Sequence, residues 1–142
     1  MIERKNFVYA GALVGMLEKM NRPYQLIDTL QRFLPDFPDK EYFVSLLTQT
    51  YARLGNPSGA ISLIEEFYSG RDIPSVAEKS LAELYVQTKD YGKAKKVLQE
   101  YNEKTGGDYH SYHLLGDVFA CLGQDHASRR SWQRALELIN NR

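Results

Sequence analysis

Three residues in the last third of the chain have the chemistry of a metal site. His110, His113 and Asp117 are three and four residues apart, so a helix would place them on one face. Imidazole nitrogens and carboxylate oxygens are common zinc ligands. The sequence offers no second ligand cluster and no established ligand spacing. We therefore interpret the three residues as a solvated polar patch, and we predict no metal and no cofactor.

The only cysteine offers a second kind of chemistry. Cys121 would end one helix while Asp125 and His126 would begin the next, so the thiol and the imidazole would lie near each other. A thiol beside a histidine is the pairing of a cysteine nucleophile. No pattern supplies an oxyanion hole or a group that orients the base. We predict that the chain is not an enzyme, and a metal- or thiol-dependent enzyme is the remote alternative.

The charge balance narrows the classes of partner. The chain has 18 Lys and Arg residues against 18 Asp and Glu residues, which gives a formal net charge of zero. This balance argues against a nucleic-acid surface or an anionic-membrane surface. The single cysteine excludes an internal disulfide and fits a reducing compartment. We predict a cytoplasmic protein that binds neither nucleic acid nor membrane.

The helices that would carry these residues recur along the chain with a fixed period. Stepping back 34 residues at a time from Leu115 reaches Leu81, Leu47 and Leu13 without a gap. The other repeating columns are Phe119, Tyr85, Tyr51 and Leu17; Trp132, Leu98, Ile64 and Leu30; Gly116, Ala82, Thr48 and Val14; Ser128, Ala94, Ala60 and Leu26; and Gly123, Lys89, Gly55 and Asn21. A fixed period of this length indicates a helical repeat array.

These columns resemble the tetratricopeptide repeat (TPR), whose first helix carries a large residue, Leu-Gly and Tyr, and whose second helix carries Ala-x3-Phe. The fourth repeat matches best, although Ser128 stands where the family has alanine. The proline expected at the end of each repeat occurs only as Pro38. The matching residues are Leu47, Tyr51, Gly55 and Ala60; Leu81, Ala82, Tyr85, Tyr91 and Ala94; and Tyr112, Leu115, Gly116, Phe119 and Trp132.

The resemblance implies an all-α fold. It predicts a TPR-like α-solenoid of about eight helices, in which antiparallel helix pairs stack into a superhelix. The predicted organisation is a single domain over 1–142, divided into repeats 7–40, 41–74, 75–108 and 109–142.

Local signals place several helix starts. Pro23 and Pro57 suit the first helical position, where a missing N–H costs nothing. Ser75 and Glu78 have the spacing of a capping box. Asp108 is expected to cap the helix that follows it.

The two outer helices of the array differ in polarity. The stretch 7–17 is apolar nearly all round, which predicts a surface covered by a self-contact, a partner helix or upstream chain. It follows Arg4-Lys5 like the core of a secretory signal, but no small-residue cleavage site follows, and it is too short to cross about 30 Å of hydrocarbon. In the last helix, Trp132 and Leu136 are predicted to point inward beneath a polar, finished outer surface.

In TPR arrays the first helices line a concave groove that binds extended or helical peptides. The resemblance therefore implies a partner-binding groove made of Val8, Gly11, Gly15, Tyr42, Ser45, Gln49, Arg53, Lys79, Glu83, Gln87, His110, His113 and Asp117, with Val76 on the same stripe. Gly11 and Gly15 are the unusual members, because glycine inside a helix costs about 0.5–1 kcal/mol relative to alanine. They predict either a close approach by a partner backbone or packing against a neighbouring helix of the chain.

The resulting functional hypothesis is a protein–protein interaction module. It would act as an adaptor, a scaffold or a small assembly or secretion chaperone that captures a segment of another protein or peptide in the groove. Lys79 is the only nearby cation, which disfavours recognition of a carboxylate-ended chaperone tail. The alternative is a structural spacer or a homo-oligomerisation module that uses the apolar first helix. The chain could also be a subunit of a larger assembly.

Overall fold

A computed structural model describes residues 3–33 and 40–141, with side chains over 11–32, 41–42 and 44–141. These residues form eight α-helices and confirm the all-α fold class. The helices are α1 (Glu3–Lys19), α2 (Pro23–Phe33), α3 (Lys40–Arg53), α4 (Pro57–Phe67), α5 (Ser75–Gln87), α6 (Tyr91–Thr105), α7 (Tyr109–Cys121) and α8 (Asp125–Asn140). None of the described helices is both long enough and apolar enough to span a bilayer.

The helices fall into two compact units. Unit 1 is Met1–Phe67 and holds α1 to α4, and unit 2 is Tyr68–Arg142 and holds α5 to α8. In unit 1 each helix packs on the next one along the chain. Unit 2 follows the same order, and α5 also contacts α7. Each unit therefore contains two helix pairs, and the first helix of its second pair packs on the pair before it.

The turn inside each helix pair has the same backbone geometry. The second helices begin at Pro23, Pro57, Tyr91 and Asp125, each 34 residues after the one before. The middle turn residues Asn21, Gly55, Lys89 and Gly123 have positive φ angles of 53°, 71°, 64° and 74°. The residue after each of them donates its N–H to a carbonyl five residues earlier, at 2.8–3.0 Å. This is the Schellman ending of a helix, so the 34-residue period is present in the backbone as well as in the sequence.

The predicted helix starts are correct at three of four places. Pro23 and Pro57 occupy the first helical positions, and Asp108 caps α7 by accepting the Ser111 N–H at 2.8 Å. The capping box predicted at Ser75 is wrong. The residue before α5 is Pro74, and no side chain caps the helix there, because Ser75 is already helical.

Core side chains come from the repeating columns. In unit 1, five buried residues form one cluster: Val14, Leu17, Leu26, Leu30 and Leu47. In unit 2, Ser128 is buried, and its hydroxyl donates to the Gly116 carbonyl at 2.8 Å. Serine is therefore accommodated in a column that elsewhere holds alanine, because its one polar group is satisfied.

The prediction that α8 has a finished polar outer surface is wrong in part. Its charged side chains Arg129 and Arg134 are exposed as expected. However, Trp132, Leu136 and Ile139 are also exposed, although the first two were predicted to point inward. An apolar surface on α8 is therefore open to solvent.

Candidate partner-binding surface

The first helices of unit 2, α5 and α7, expose most of the side chains predicted to line the groove. We call this the unit 2 surface, and it consists of Val76, Lys79, Glu83, Gln87, His110, His113 and Asp117. The same helices bury their other side, where Leu81, Leu84 and Leu115 lie in the core. The helical period thus separates a packing face from an accessible face on each helix.

Two polar contacts hold α5 and α7 together at this surface. The Nε2 atom of His110 lies 2.8 Å from Oε1 of Glu83. The Nζ atom of Lys79 lies 3.2 Å from Oδ2 of Asp108, the residue that caps α7. The structure therefore brings together predicted groove residues from two successive first helices.

Asp108 is a junction of several hydrogen bonds. Its carboxylate accepts from the Ser111 N–H, from the Tyr101 hydroxyl at 2.8 Å and from Lys79. Burial alone would raise the pKa of Asp108, but the three donors outweigh it, so the pKa lies below its ordinary value. The hydrogen bond to the carboxylate raises the pKa of Tyr101 in turn. Asp108 is consequently held in its charged form.

Lys79 contributes to this packing as well as to the accessible face. Its side chain is half-buried, and its ammonium lies 5.9 Å from the centroid of the Tyr101 ring. A lysine held by a carboxylate and a ring is less available to a ligand than a solvated lysine. The contact was not predicted, because Lys79 and Asp108 are 29 residues apart and nothing in the local sequence marks them as a pair.

A second unpredicted ion pair lies beside it. Glu78 is almost fully buried, and its Oε1 atom lies 3.1 Å from Nζ of Lys104. Lys104 also donates to the Ile73 carbonyl at 3.3 Å. The sequence assigned Glu78 to a capping box, but the structure uses it to join α5 to α6. A glutamate in the register of the buried face was the available signal.

The three candidate metal ligands lie on α7, as predicted. Their contacts are with other side chains: His110 lies beside Glu83, and the His113 Nδ1 atom lies 3.6 Å from Oδ2 of Asp117. Asp117 also accepts from Nε1 of Trp132 at 3.0 Å. The described residues contain no group of three or more His, Cys, Asp and Glu side chains arranged to hold a metal ion. These contacts fit a polar surface patch.

Cys121 is exposed at the end of α7, not buried as its residue type had suggested. A hydrogen bond with its side chain raises the pKa of Tyr91. Asp125 begins α8, and His126 is exposed in the first turn of that helix. The described contacts of the thiol thus join α7 to the start of α6.

The first helices of unit 1 carry the remaining predicted groove residues. Tyr42, Ser45, Gln49 and Arg53 are exposed on α3. The side chain of Val8 lies outside those that the structure describes. We call α1 and α3 residues Gly11, Gly15, Tyr42, Ser45, Gln49 and Arg53 the unit 1 surface.

Gly11 and Gly15 face open space. A Cβ atom built on either residue would have no neighbouring atom within 4 Å. Packing against another described helix therefore does not require glycine at these two positions. Gly116 in α7 is the opposite case, because a Cβ there would overlap the indole of Trp132.

Comparison with known proteins identifies the fold. No protein-family model matches the sequence, and none of the curated proteins matches it. Among solved structures, "MamA 41-end from Desulfovibrio magneticus RS-1" has a TM-score of 0.82 at 16% identity and covers 94% of this chain and 76% of that chain. "Crystal structure of MamA" has a TM-score of 0.78 at 17% identity and covers 88% of this chain and 73% of that chain. These are TPR-like helical proteins, and likeness at this level of identity shows a shared TPR-like fold.

Proposed function

We propose that this chain is a protein-interaction module without catalytic activity. It captures a helical or extended segment of a partner protein on the accessible faces of its first helices, and it serves as an adaptor, a scaffold or a small assembly chaperone. The observation that carries the proposal is the pair of open glycines in α1. The exposed side chains of the unit 2 surface support it independently.

The glycine argument is one of cost. Glycine inside a helix destabilises it by roughly 0.5–1 kcal/mol relative to alanine. At Gly11 and Gly15 the described packing gains nothing in return, because a Cβ atom would meet no neighbour. Two such residues, four apart on the accessible face of α1, allow another backbone to approach closely. A partner segment that lies across α1 would use that space.

The unit 2 surface suggests what kind of segment fits there. Val76 is 80% exposed at the start of α5 and offers an apolar contact. Gln87 is exposed near the end of the same helix, and the Glu83–His110 pair lies between them in sequence register. An internal segment with an apolar anchor and polar groups beyond it matches this order. A terminal carboxylate is less suited, because Lys79 is already bound to Asp108.

The test uses capture from native lysate followed by quantitative mass spectrometry. Gly11→Gln and Gly15→Gln together fill the open space without adding charge. Gly92→Gln is the matched control, because Gly92 lies exposed in α6 and a Cβ there also meets no atom within 4 Å. Circular dichroism and thermal unfolding establish that all three proteins are folded.

We expect the double variant to retain or gain stability while it loses captured proteins at least tenfold. Glutamine has the better helix propensity, so the fold should tolerate it. The control should capture the same proteins as the wild type. Equal capture by all three baits would exclude the α1 surface as the site, and loss on the control alone would move binding to the second helices.

A further inference from the structure

One leucine column is exposed at a single position. Leu47, Leu81 and Leu115 are 0%, 2% and 6% exposed, whereas Leu13 in α1 is 36% exposed. The column three residues later behaves in the same way. Thr50, Leu84 and Val118 are buried, but Met16 is 52% exposed. We call Leu13 and Met16 the α1 surface.

A different column is exposed at the other end of the repeat series. Leu30, Ile64 and Leu98 are 0%, 2% and 0% exposed, whereas Trp132 in α8 is 38% exposed. Leu136 and Ile139 follow Trp132 at helical spacing and are exposed too. These three residues form the α8 surface, and they border a concavity of about 340 Å³ that Tyr109 and His113 also line.

Inside unit 1 the two columns meet in one core. Leu30 of α2 and Leu47 of α3 belong to the same buried cluster. This contact joins the second helix of one repeat to the first helix of the next. Leu13 belongs to the column of Leu47, and Trp132 belongs to the column of Leu30. The α1 surface and the α8 surface are therefore the two halves of an interface that the repeats already use.

We propose that these two surfaces bind each other between copies of this chain. The α1 surface of one copy packs on the α8 surface of a second copy, in the manner in which α3 packs on α2. Exposed apolar patches of this kind mark sites of protein association. Because the two surfaces differ, the contact is heterologous and adds copies head to tail into a ring or an open chain. This proposal does not depend on capture of a partner on the first-helix surfaces.

The test measures self-association by sedimentation velocity over a range of concentrations from about 1 µM to 1 mM, the span of common protein–protein affinities. Met16→Glu blocks the α1 surface, and Leu136→Glu blocks the α8 surface. Both side chains are more than half exposed, so a charge there leaves the fold intact. Val76→Glu adds the same charge at an exposed position outside both surfaces, and Ile139→Glu replaces Leu136→Glu if that variant does not fold.

The head-to-tail contact predicts a specific pattern. The wild type and Val76→Glu associate beyond a dimer as concentration rises, and each blocked variant alone stays monomeric. An equimolar mixture of Met16→Glu and Leu136→Glu forms a dimer and nothing larger, because only one intact surface of each kind remains. A wild type that stays monomeric to 1 mM overturns the proposal. So does a blocked variant that still dimerises alone, because that result indicates a contact of one surface with itself.

Discussion

Lys89 adopts a backbone conformation that favours glycine. Its φ angle is +64°, and the equivalent turns place Asn21, Gly55 and Gly123 in the same left-handed region. A residue with a Cβ atom loses about 1–2 kcal/mol there through contact with the following carbonyl oxygen. Lys89 is exposed, and its side chain is not needed to shape the turn. The α5–α6 turn therefore carries local strain.

Replacing Lys89 by glycine should stabilise unit 2. We expect Lys89→Gly to raise the free energy of unfolding by about 0.5–1 kcal/mol, because relief of the left-handed conformation outweighs the added entropy of the unfolded chain. Urea unfolding followed by Trp132 fluorescence measures this change. Lys95→Gly, inside α6, is the control and should destabilise by about 1 kcal/mol. A lower stability for Lys89→Gly would contradict the account of the turn.

Much of this turn geometry was predictable, because Gly55 and Gly123 stand at matching positions in the sequence and glycine is the usual residue of a helix C-cap. The role of Lys79 was not predictable. Its partner Asp108 is distant in the chain, and a lysine on an accessible stripe looks solvated until the neighbouring helix is in place. Glu78 was misassigned for a similar reason, since its partner Lys104 lies on another helix.

At the scale of helices, α7 and α8 are matched to each other by a large and a small residue. The indole of Trp132 occupies the volume where a Cβ of Gly116 would stand. The equivalent pair between α5 and α6 is Ala82 with Leu98, and both of those residues are fully buried. The same helix packing is thus achieved by two different divisions of the available volume.

A double-mutant cycle tests this exchange of volume. Gly116→Ala alone should destabilise unit 2 by about 1–3 kcal/mol, the usual cost of overpacking. Adding Trp132→Leu recreates the Ala82–Leu98 pair and should recover most of that loss, which gives a coupling energy of about 1 kcal/mol or more. Chemical unfolding followed by circular dichroism measures all four proteins. Strictly additive effects would show that Gly116 and Trp132 are not packed as described.

The cap of α7 makes the stability of unit 2 depend on pH. The pKa of Asp108 is lowered in the folded state, so its charged form stabilises the fold above the ordinary aspartate pKa of about 3.9. That contribution is lost as pH falls through the lowered folded pKa. Asp108→Asn keeps an amide cap but removes the charge, so its stability should fall less on acidification.

We expect the stability difference between wild type and Asp108→Asn to be largest at pH 7 and to shrink below about pH 4. Urea unfolding at several pH values measures it, and Asp72→Asn, at an exposed residue between α4 and α5, is the control. Asp108→Ala removes the cap as well and should cost about 1 kcal/mol at neutral pH. A difference that does not vary with pH would mean that the carboxylate charge is not used.

At the scale of the whole chain, the repeat period accounts for the fold. Buried columns, turn residues and helix starts all recur every 34 residues, so the sequence specifies the same local solution four times. The pattern says less about which exposed surfaces are used. Leu136 was predicted to face inward because it shares the apolar stripe of α8. Only the packing of the neighbouring helices reveals that nothing described covers it.

The central claim is that a partner segment lies on the first helices and not on the second. A photo-crosslinking amino acid placed at position 87 or at position 99 tests it directly, because both residues are exposed glutamines, in α5 and in α6 respectively. Irradiation in native lysate, followed by mass spectrometry, identifies the proteins in contact with each probe. Our account predicts discrete cross-linked partners from Gln87 and none of them from Gln99. The same partners at equal yield from both positions, or from Gln99 alone, would contradict it.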